Sequence, residues 1–91
     1  MNEFEWDESK RLANLEKHRF DFDDAVDFFD GRPTTSMLIE REGEIRILTT
    51  SFVLDRMRTI IWTPRNGRIR VISVRRAHAA EIRTYRALHG G

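Results

Sequence analysis

Cysteine is absent from the 91 residues of this chain. Its absence excludes disulfide bonds and thiolate metal sites, so the fold must rest on packing alone. Long apolar runs are missing too, since none approaches the roughly 20 residues that a membrane-spanning helix needs. The N-terminus is acidic, whereas a signal peptide begins with a basic and then an apolar segment. These absences predict a soluble cytoplasmic protein that makes no membrane contact.

The length of the chain allows one compact domain with one core and is too short for two. Hydrophobic residues make up 40% of the sequence and charged residues 34%. The six phenylalanines and two tryptophans must supply much of the core. We therefore expect a single domain over residues 1–91.

Lysine does not occur after Lys17, and arginine carries the positive charge of the remaining chain. Residues 1–30 contain ten acidic and four basic side chains, whereas residues 31–91 contain five acidic side chains and twelve arginines. Five arginines lie between Arg65 and Arg76, a segment without any acid. Guanidinium groups grip phosphate oxygens bidentately, and a surface of one sign attracts polyanions. This pattern favours a nucleic acid or an acidic protein as the partner.

The hydrophobic pattern predicts an α+β fold with two N-terminal helices, a four-stranded antiparallel sheet and a C-terminal helix. Apolar residues recur at helical spacing in the first 31 residues, and β-branched or aromatic runs between turn residues follow. The apolar stripe of the second helix comprises Phe22, Ala25, Val26 and Phe29. The predicted elements are helices 7–18 and 20–31, strands 34–40, 44–54, 56–63 and 68–76, and a helix over 78–91.

The last two strands are joined by Pro64 and the pair Asn66-Gly67, which predict a tight hairpin. Simple alternation along the last strand assigns Arg68, Arg70 and Arg76 to one face of the sheet and Arg75 to the other, unless twist or a bulge brings Arg70 and Arg75 to one site. Unpaired arginines cannot be buried. We therefore expect helices to cover one face of the sheet and to leave the other open.

Four segments of the sequence carry a family resemblance. They are FEWDESK at residues 4–10, NLEKH at 14–18, the FFDG that ends the second helix, and RIRVISVRRA followed by Glu81 and Tyr85. Together, in this order and at these spacings, they resemble the BrnT family of toxins from bacterial type II toxin-antitoxin systems. The resemblance implies a RelE-like fold and a ribonuclease that needs no metal and arrests translation. It also implies a cognate BrnA-like antitoxin that forms a heteromeric complex with the toxin. The toxin would then contact DNA only indirectly, through the antitoxin.

Two positions depart from the family pattern. Arg19 stands where the family usually has the glycine that ends the first helix, so it must take another conformation or some strain. His78 stands where the family commonly has threonine or serine, so the sequence predicts loss of the capping box onto Glu81.

Metal-free RNA cleavage uses the 2′-hydroxyl as the nucleophile, so the enzyme must move protons and stabilise extra charge on phosphorus. Arginines can supply the stabilisation, and a histidine or glutamate can move the protons. The candidate catalytic residues are Arg46, Arg65, Arg70, Arg75, His18 and Glu44. The candidate RNA-binding residues are Lys17, Arg68, Arg76, Ser73 and Tyr85.

Structural roles remain open for each of these residues. A surface arginine can pair with a carboxylate, and a histidine that closes a helix can interact with the helix dipole. His78 and His89 have no clustered carboxylates, so we predict no metal site and no cofactor. A non-catalytic RNA-binding module, or a module that binds an acidic protein, would use the same arginines. Cleavage of RNA separates these alternatives from a nuclease.

Overall fold

The computed structural model describes residues 3–90, which form one mixed β-sheet with helical segments packed on both faces. The strands lie in the order β1-β5-β4-β3-β2 across the sheet. The elements are β1 (Phe4–Glu5), helix α1 (Glu8–His18), a 3-10 helix (Phe22–Phe29), β2 (Thr35–Arg41), β3 (Glu44–Val53), β4 (Arg56–Arg65), β5 (Arg68–Arg76) and helix α2 (Ala79–His89). Gly91, the last residue of the predicted C-terminal helix, lies outside the described residues.

The predicted four-stranded antiparallel sheet is wrong because the sheet has a fifth strand. Strands β2 to β5 are antiparallel neighbours, but β1 runs parallel to β5, with Phe4 opposite Ile69 and Glu5 opposite Arg70. A two-residue strand is too short for hydrophobic alternation to reveal it. Its consequence is that Glu5 lies beside the arginines of β5.

The second of the two predicted N-terminal helices is a 3-10 helix, so the α-helical spacing predicted for it is wrong. Its buried residues are Phe22, Ala25 and Phe28, at intervals of three. That spacing matches the three residues per turn of a 3-10 helix, whereas the predicted stripe assumed 3.6. Val26, which the prediction placed in the core, is 50% exposed.

The core lies between the sheet and the segment formed by α1 and the 3-10 helix. It comprises Phe20, Phe22, Ala25, Phe28, Val53, Ile60, Ile69, Val71 and Val74. Asn14 fastens α1 to β5: its side-chain oxygen accepts from the Ser73 hydroxyl at 3.1 Å and the Val74 N–H at 3.0 Å, and its amide donates to the Phe20 carbonyl at 3.0 Å. These bonds fix the C-terminal end of α1 beside the end of β5.

Helix α2 contacts β2 and β3 on the other face of the sheet. Glu81 in its first turn accepts a 2.9 Å hydrogen bond from Thr59 of β4, and Thr59 in turn lies 2.7 Å from Thr50 of β3. None of the helices within residues 3–90 is long and apolar enough to cross a membrane.

Candidate functional site

A β-bulge in β5 decides which arginines share a face of the sheet. Ile61 is opposite Ser73 and Trp62 is opposite Val71, so Ile72 is an extra residue without a partner in β4. An extra residue reverses the alternation beyond it. Val71 and Val74, three positions apart, consequently both enter the core.

The bulge brings Arg68, Arg70 and Arg75 to one face, and the simple alternation predicted for this strand is wrong. Arg70 lies opposite Thr63, and Arg75 lies opposite Thr59. Thr59 and Thr63 are four residues apart in β4 and therefore share a face. This is the face on which Thr59 contacts α2.

Arg65 belongs to the same face because it lies directly opposite Arg68 across the predicted hairpin. Asn66 and Gly67 form the turn with φ of 53° and 76°. Two successive positive φ values are those of a type I′ turn, which Asn-Gly favours. Like charges directly opposite each other destabilise a sheet. The hairpin therefore holds two guanidinium groups together at a cost in stability.

Arg46 joins this face from β3. Leu48 lies opposite Ile61, and residues two apart in a strand share a face, so Arg46 lies on the side of Thr63 and Arg70. We use the name arginine face for the surface formed by Arg46, Arg65, Arg68, Arg70 and Arg75.

Carboxylates from distant parts of the chain lie among these arginines. Arg70 donates to Glu5 at 2.9 Å, and Arg68 lies 3.9 Å from both Glu3 and Glu5. Arg46 bonds to Glu44 at 3.2 Å. The segment from Arg65 to Arg76 contains no acid, yet Glu3 and Glu5 from the N-terminal end of the chain lie beside its arginines. Within residues 3–90, Arg65 has neither an ion pair nor a hydrogen bond from its side chain.

Arg75 is the most firmly held residue of the arginine face. It donates two bonds to Glu81, at 2.9 and 3.0 Å, and a third to the Arg76 carbonyl at 3.1 Å. Glu81 also accepts from the His78 N–H at 2.7 Å and from Thr59. Burial raises the pKa of Glu81, but the bonds from Arg75, His78 and Thr59 outweigh it and bring the pKa to about 2. Glu81 is therefore ionised at neutral pH and orients Arg75.

The Glu81–His78 bond also corrects the expectation that the capping box is lost. The half of the box in which the glutamate accepts the N-cap N–H is present. Sequence reasoning missed Glu81 and Glu5 as residues that position the arginines. The spacing from Arg75 to Glu81 was visible, but nothing in the sequence indicated that Glu5 pairs with a residue 65 positions away.

A second set of basic residues lies in a cleft on the other side of β5. The cleft has a volume of about 430 Å³. We use the name basic cleft for the surface lined by Lys17, His18, Arg19, Arg56, Arg58 and Arg76. Three predicted site residues, Lys17, His18 and Arg76, therefore line the basic cleft.

Three residues of the basic cleft, His18, Arg58 and Arg19, lie in unusual electrostatic or backbone environments. Burial and the positive charges of Lys17 and Arg75 lower the pKa of His18, which favours its neutral imidazole. Arg58 is 7% exposed, lies 4.9 Å from the centre of the Phe20 ring, and donates to the Val53 carbonyl at 3.1 Å. Arg19 ends α1 in the left-handed conformation, with φ of 58°. From the sequence we predicted that Arg19 takes another conformation than the family's glycine or accepts strain. It accepts strain, because the left-handed conformation is unfavourable for a residue with a side chain.

The two remaining predicted site residues are Ser73, which lies beside Lys17 and His18, and Tyr85. Ser73 donates its hydroxyl to Asn14, so it is already bonded within the fold. Tyr85 lies in the later part of α2, where its ring centre is 4.9 Å from that of His89. The residues that line the space around it are Pro33, Phe52, Met57, Arg86 and His89. The structure does not bring Tyr85 to either set of basic residues.

No group of three or more His, Asp or Glu side chains within residues 3–90 is arranged to hold a metal ion. A family model described as "ribonuclease toxin, BrnT, of type II toxin-antitoxin system" matches residues 6–81. The match extends from Trp6, two residues before α1, to Glu81, and so includes the whole arginine face and the whole basic cleft. None of the curated proteins compared with the chain is significantly similar to it.

Proposed function

This chain belongs to the BrnT family of ribonuclease toxins of type II toxin-antitoxin systems, and from that premise we propose that it is a metal-independent endoribonuclease whose arginine face binds the scissile phosphate. The observation that carries the proposal is the bulge at Ile72, since it aligns Arg68, Arg70 and Arg75 with Arg46 and Arg65. Neighbouring strands lie about 4.8 Å apart. Strand β4 lies between β3 and β5, which are therefore about 10 Å apart, a distance that one RNA strand can span.

The reaction begins when the 2′-oxygen attacks the adjacent phosphorus and gives up its proton to a base. The phosphorus then carries an extra negative charge, which Arg70 and Arg75 stabilise with their guanidinium groups. The bond to the 5′-oxygen breaks, that oxygen takes a proton, and a 2′,3′-cyclic phosphate remains. Because Glu81 holds Arg75 before substrate arrives, stabilisation requires little reorganisation.

Glu44 is the candidate base because it is the predicted proton-transfer residue that contacts the arginine face, through its bond to Arg46. Its side chain is 52% exposed, so an RNA 2′-hydroxyl can reach it. His18 lines the basic cleft instead, which removes the main reason for assigning it the role of base.

A type II family implies an antitoxin partner. We propose a BrnA-like antitoxin that lays an acidic or extended segment across the arginine face and excludes RNA by direct competition. In this account the antitoxin, rather than this chain, contacts DNA. Released toxin cleaves RNA in the cytoplasm and so arrests translation.

RNA cleavage by the purified protein in excess EDTA tests the proposal. We expect new RNA fragments from the wild-type protein, and none from a Glu44→Gln, Arg70→Ala double variant that remains folded. Binding of RNA without cleavage would favour a non-catalytic RNA-binding module. Binding of an acidic peptide without binding of RNA would favour a protein-interaction module.

A further inference from the structure

The basic cleft concentrates positive charge in a way that packing does not require. Arg58 of β4 lies directly opposite Arg76 of β5, a second cross-strand pair of like charges in the same hairpin. Such pairs destabilise a sheet. Asp55 contacts Arg56 and Arg58, at 3.4 and 3.2 Å. Within the described part of the chain, the side chains of Lys17, Arg19 and Arg76 have no carboxylate partner.

The C-terminal end of α1 explains only some of these charges. Lys17 and His18 lie in the last turn of the helix, where cations interact favourably with the helix dipole. Arg19 follows the helix in a left-handed conformation that glycine would adopt without strain. Glu42 and Leu54 adopt this conformation in turns between strands, whereas Arg19 adopts it beside the other cations of the basic cleft. The guanidinium of Arg19 therefore needs an explanation outside the fold.

Arg75 and Arg76 connect the two basic surfaces. They are consecutive residues beyond the bulge and so point to opposite faces of β5. Arg75 belongs to the arginine face, and Arg76 lines the basic cleft. Lys17 and His18, fixed beside β5 through Asn14, lie at the edge between the two surfaces.

We propose that the basic cleft is a second phosphate-binding subsite, and that one single-stranded RNA runs from the arginine face over the end of β5 into this cleft. The ligand class rests on the proposed function, because RNA is the substrate of the arginine face. A strand that contacts both faces must turn sharply around β5. Single strands can make that turn, whereas duplexes are stiff over such distances. The structure thus assigns single-stranded RNA as the substrate class.

The salt dependence of binding measures the number of phosphates contacted, since each contact on a single strand contributes about 0.7 to the slope of log K against log salt concentration. The probe is a short single-stranded RNA that is 2′-O-methylated throughout, which removes the nucleophile and prevents cleavage. The variant combines Arg19→Gly, which keeps the backbone conformation, with Arg76→Gln. Arg83→Gln on the exposed side of α2 is the matched control.

We expect the slope of the double variant to be smaller than that of the wild type by about 1.4, which corresponds to two lost phosphate contacts. The control should keep the wild-type slope. A duplex of the same methylated sequence should bind wild type and double variant with equal slopes. The proposal would be overturned if the double variant kept the wild-type slope with the single strand. It would also be overturned if the slope fell by the same amount with the duplex as with the single strand. The proposal would also be overturned if the double variant bound poly-glutamate more weakly than the wild type but bound RNA equally well.

The imidazole of His18 provides a second readout that a structural role would not change. An anion bound in the cleft favours the charged imidazole. In an NMR titration of the wild-type protein, the methylated RNA should therefore raise the pKa of His18. An unaltered His18 titration in the presence of saturating RNA would contradict the subsite.

These measurements can fail independently of the proposed nuclease activity, because the probe cannot be cleaved. A wild-type protein that cuts unmodified RNA while the slopes remain equal would refute only the subsite. A protein that cuts nothing, but whose slope falls in the double variant, would refute only the nuclease.

Discussion

Arg75 and Glu81 are joined by two parallel hydrogen bonds, of 2.9 and 3.0 Å, with side chains only 19% and 11% exposed. The pair connects the last strand of the sheet to the first turn of α2. It performs two tasks, since it fixes the helix against the sheet and orients one guanidinium of the arginine face. Bidentate pairs of this kind are directional as well as strong.

The first prediction concerns Glu81→Gln. Glu81 has a folded pKa of about 2 against an ordinary value of 4.5. The depressed pKa corresponds to about 3 kcal/mol of stability at neutral pH. We expect urea unfolding at pH 7 to show a loss of this order in the variant. Glu16→Gln, on the exposed side of α1, is the control and should unfold like the wild type.

The pH dependence of that difference follows from the sign of the shift. A carboxyl whose folded pKa is depressed stabilises the protein above its unfolded pKa, and the stabilisation is lost as pH falls through the folded pKa. The difference between wild type and Glu81→Gln should therefore shrink from about pH 4.5 and vanish near pH 2. A difference that stays constant over this range would show that Glu81 acts through packing rather than charge.

The second prediction concerns Arg70 and Arg75, which the bulge places on one face. Single-turnover cleavage by Arg70→Ala and by Arg75→Ala should be slower by roughly 100-fold each, the usual cost of losing one stabilising donor. Arg83→Ala should retain the wild-type rate. Melting temperatures of all three variants would separate catalysis from folding. Normal cleavage by both arginine variants would remove β5 from the mechanism.

The sequence allowed prediction of the parts of the fold that depend on local signals. Asn66-Gly67 indicated the hairpin, and runs of β-branched residues indicated strands β2 to β5. Strand β1 has only two residues, and its pairing with Ile69 and Arg70 depends on contacts far apart in the chain. The predicted α-helical stripe and the observed 3-10 stripe share Phe22 and Ala25 and differ at Phe28, which is buried, and at Val26, which is exposed.

The candidate site was predictable in composition but not in arrangement. The arginines were evident, yet one unpaired residue, Ile72, reverses the alternation and decides which of them share a face of the sheet. Glu5 and Glu81 enter the site through tertiary contacts. Lys17 and His18 were among the predicted site residues, but their position beside Arg58 depends on how Asn14 fastens α1 to β5.

The third prediction concerns strain at Arg19. Replacing a left-handed arginine with glycine removes a steric cost of roughly 1–2 kcal/mol but adds freedom to the unfolded chain. Arg19→Gly should therefore increase the free energy of unfolding by up to about 1 kcal/mol. Arg19→Ala, which keeps the strain and removes the same guanidinium, is the control and should give no increase. Destabilisation by Arg19→Gly would show that the side chain supports the fold.

The fourth prediction concerns the antitoxin. If its segment covers the arginine face, hydrogen exchange in the toxin-antitoxin complex should slow in β3 and β5, at residues 44–53 and 68–76. The acidic residues 1–30 offer an alternative surface, on which an antitoxin would act from a distance. Protection confined to that segment, with the strands unchanged, would contradict occlusion of the arginine face.

The chemical identity of the cleaved ends tests the central claim most directly. RNA is cut by the purified protein in excess EDTA, and the fragments are analysed by mass spectrometry. Attack by the 2′-hydroxyl on the arginine face predicts 2′,3′-cyclic phosphate on one fragment and a free 5′-hydroxyl on the other. Fragments with 5′-phosphate ends, or cleavage that stops in EDTA and returns with Mg²⁺, would contradict it.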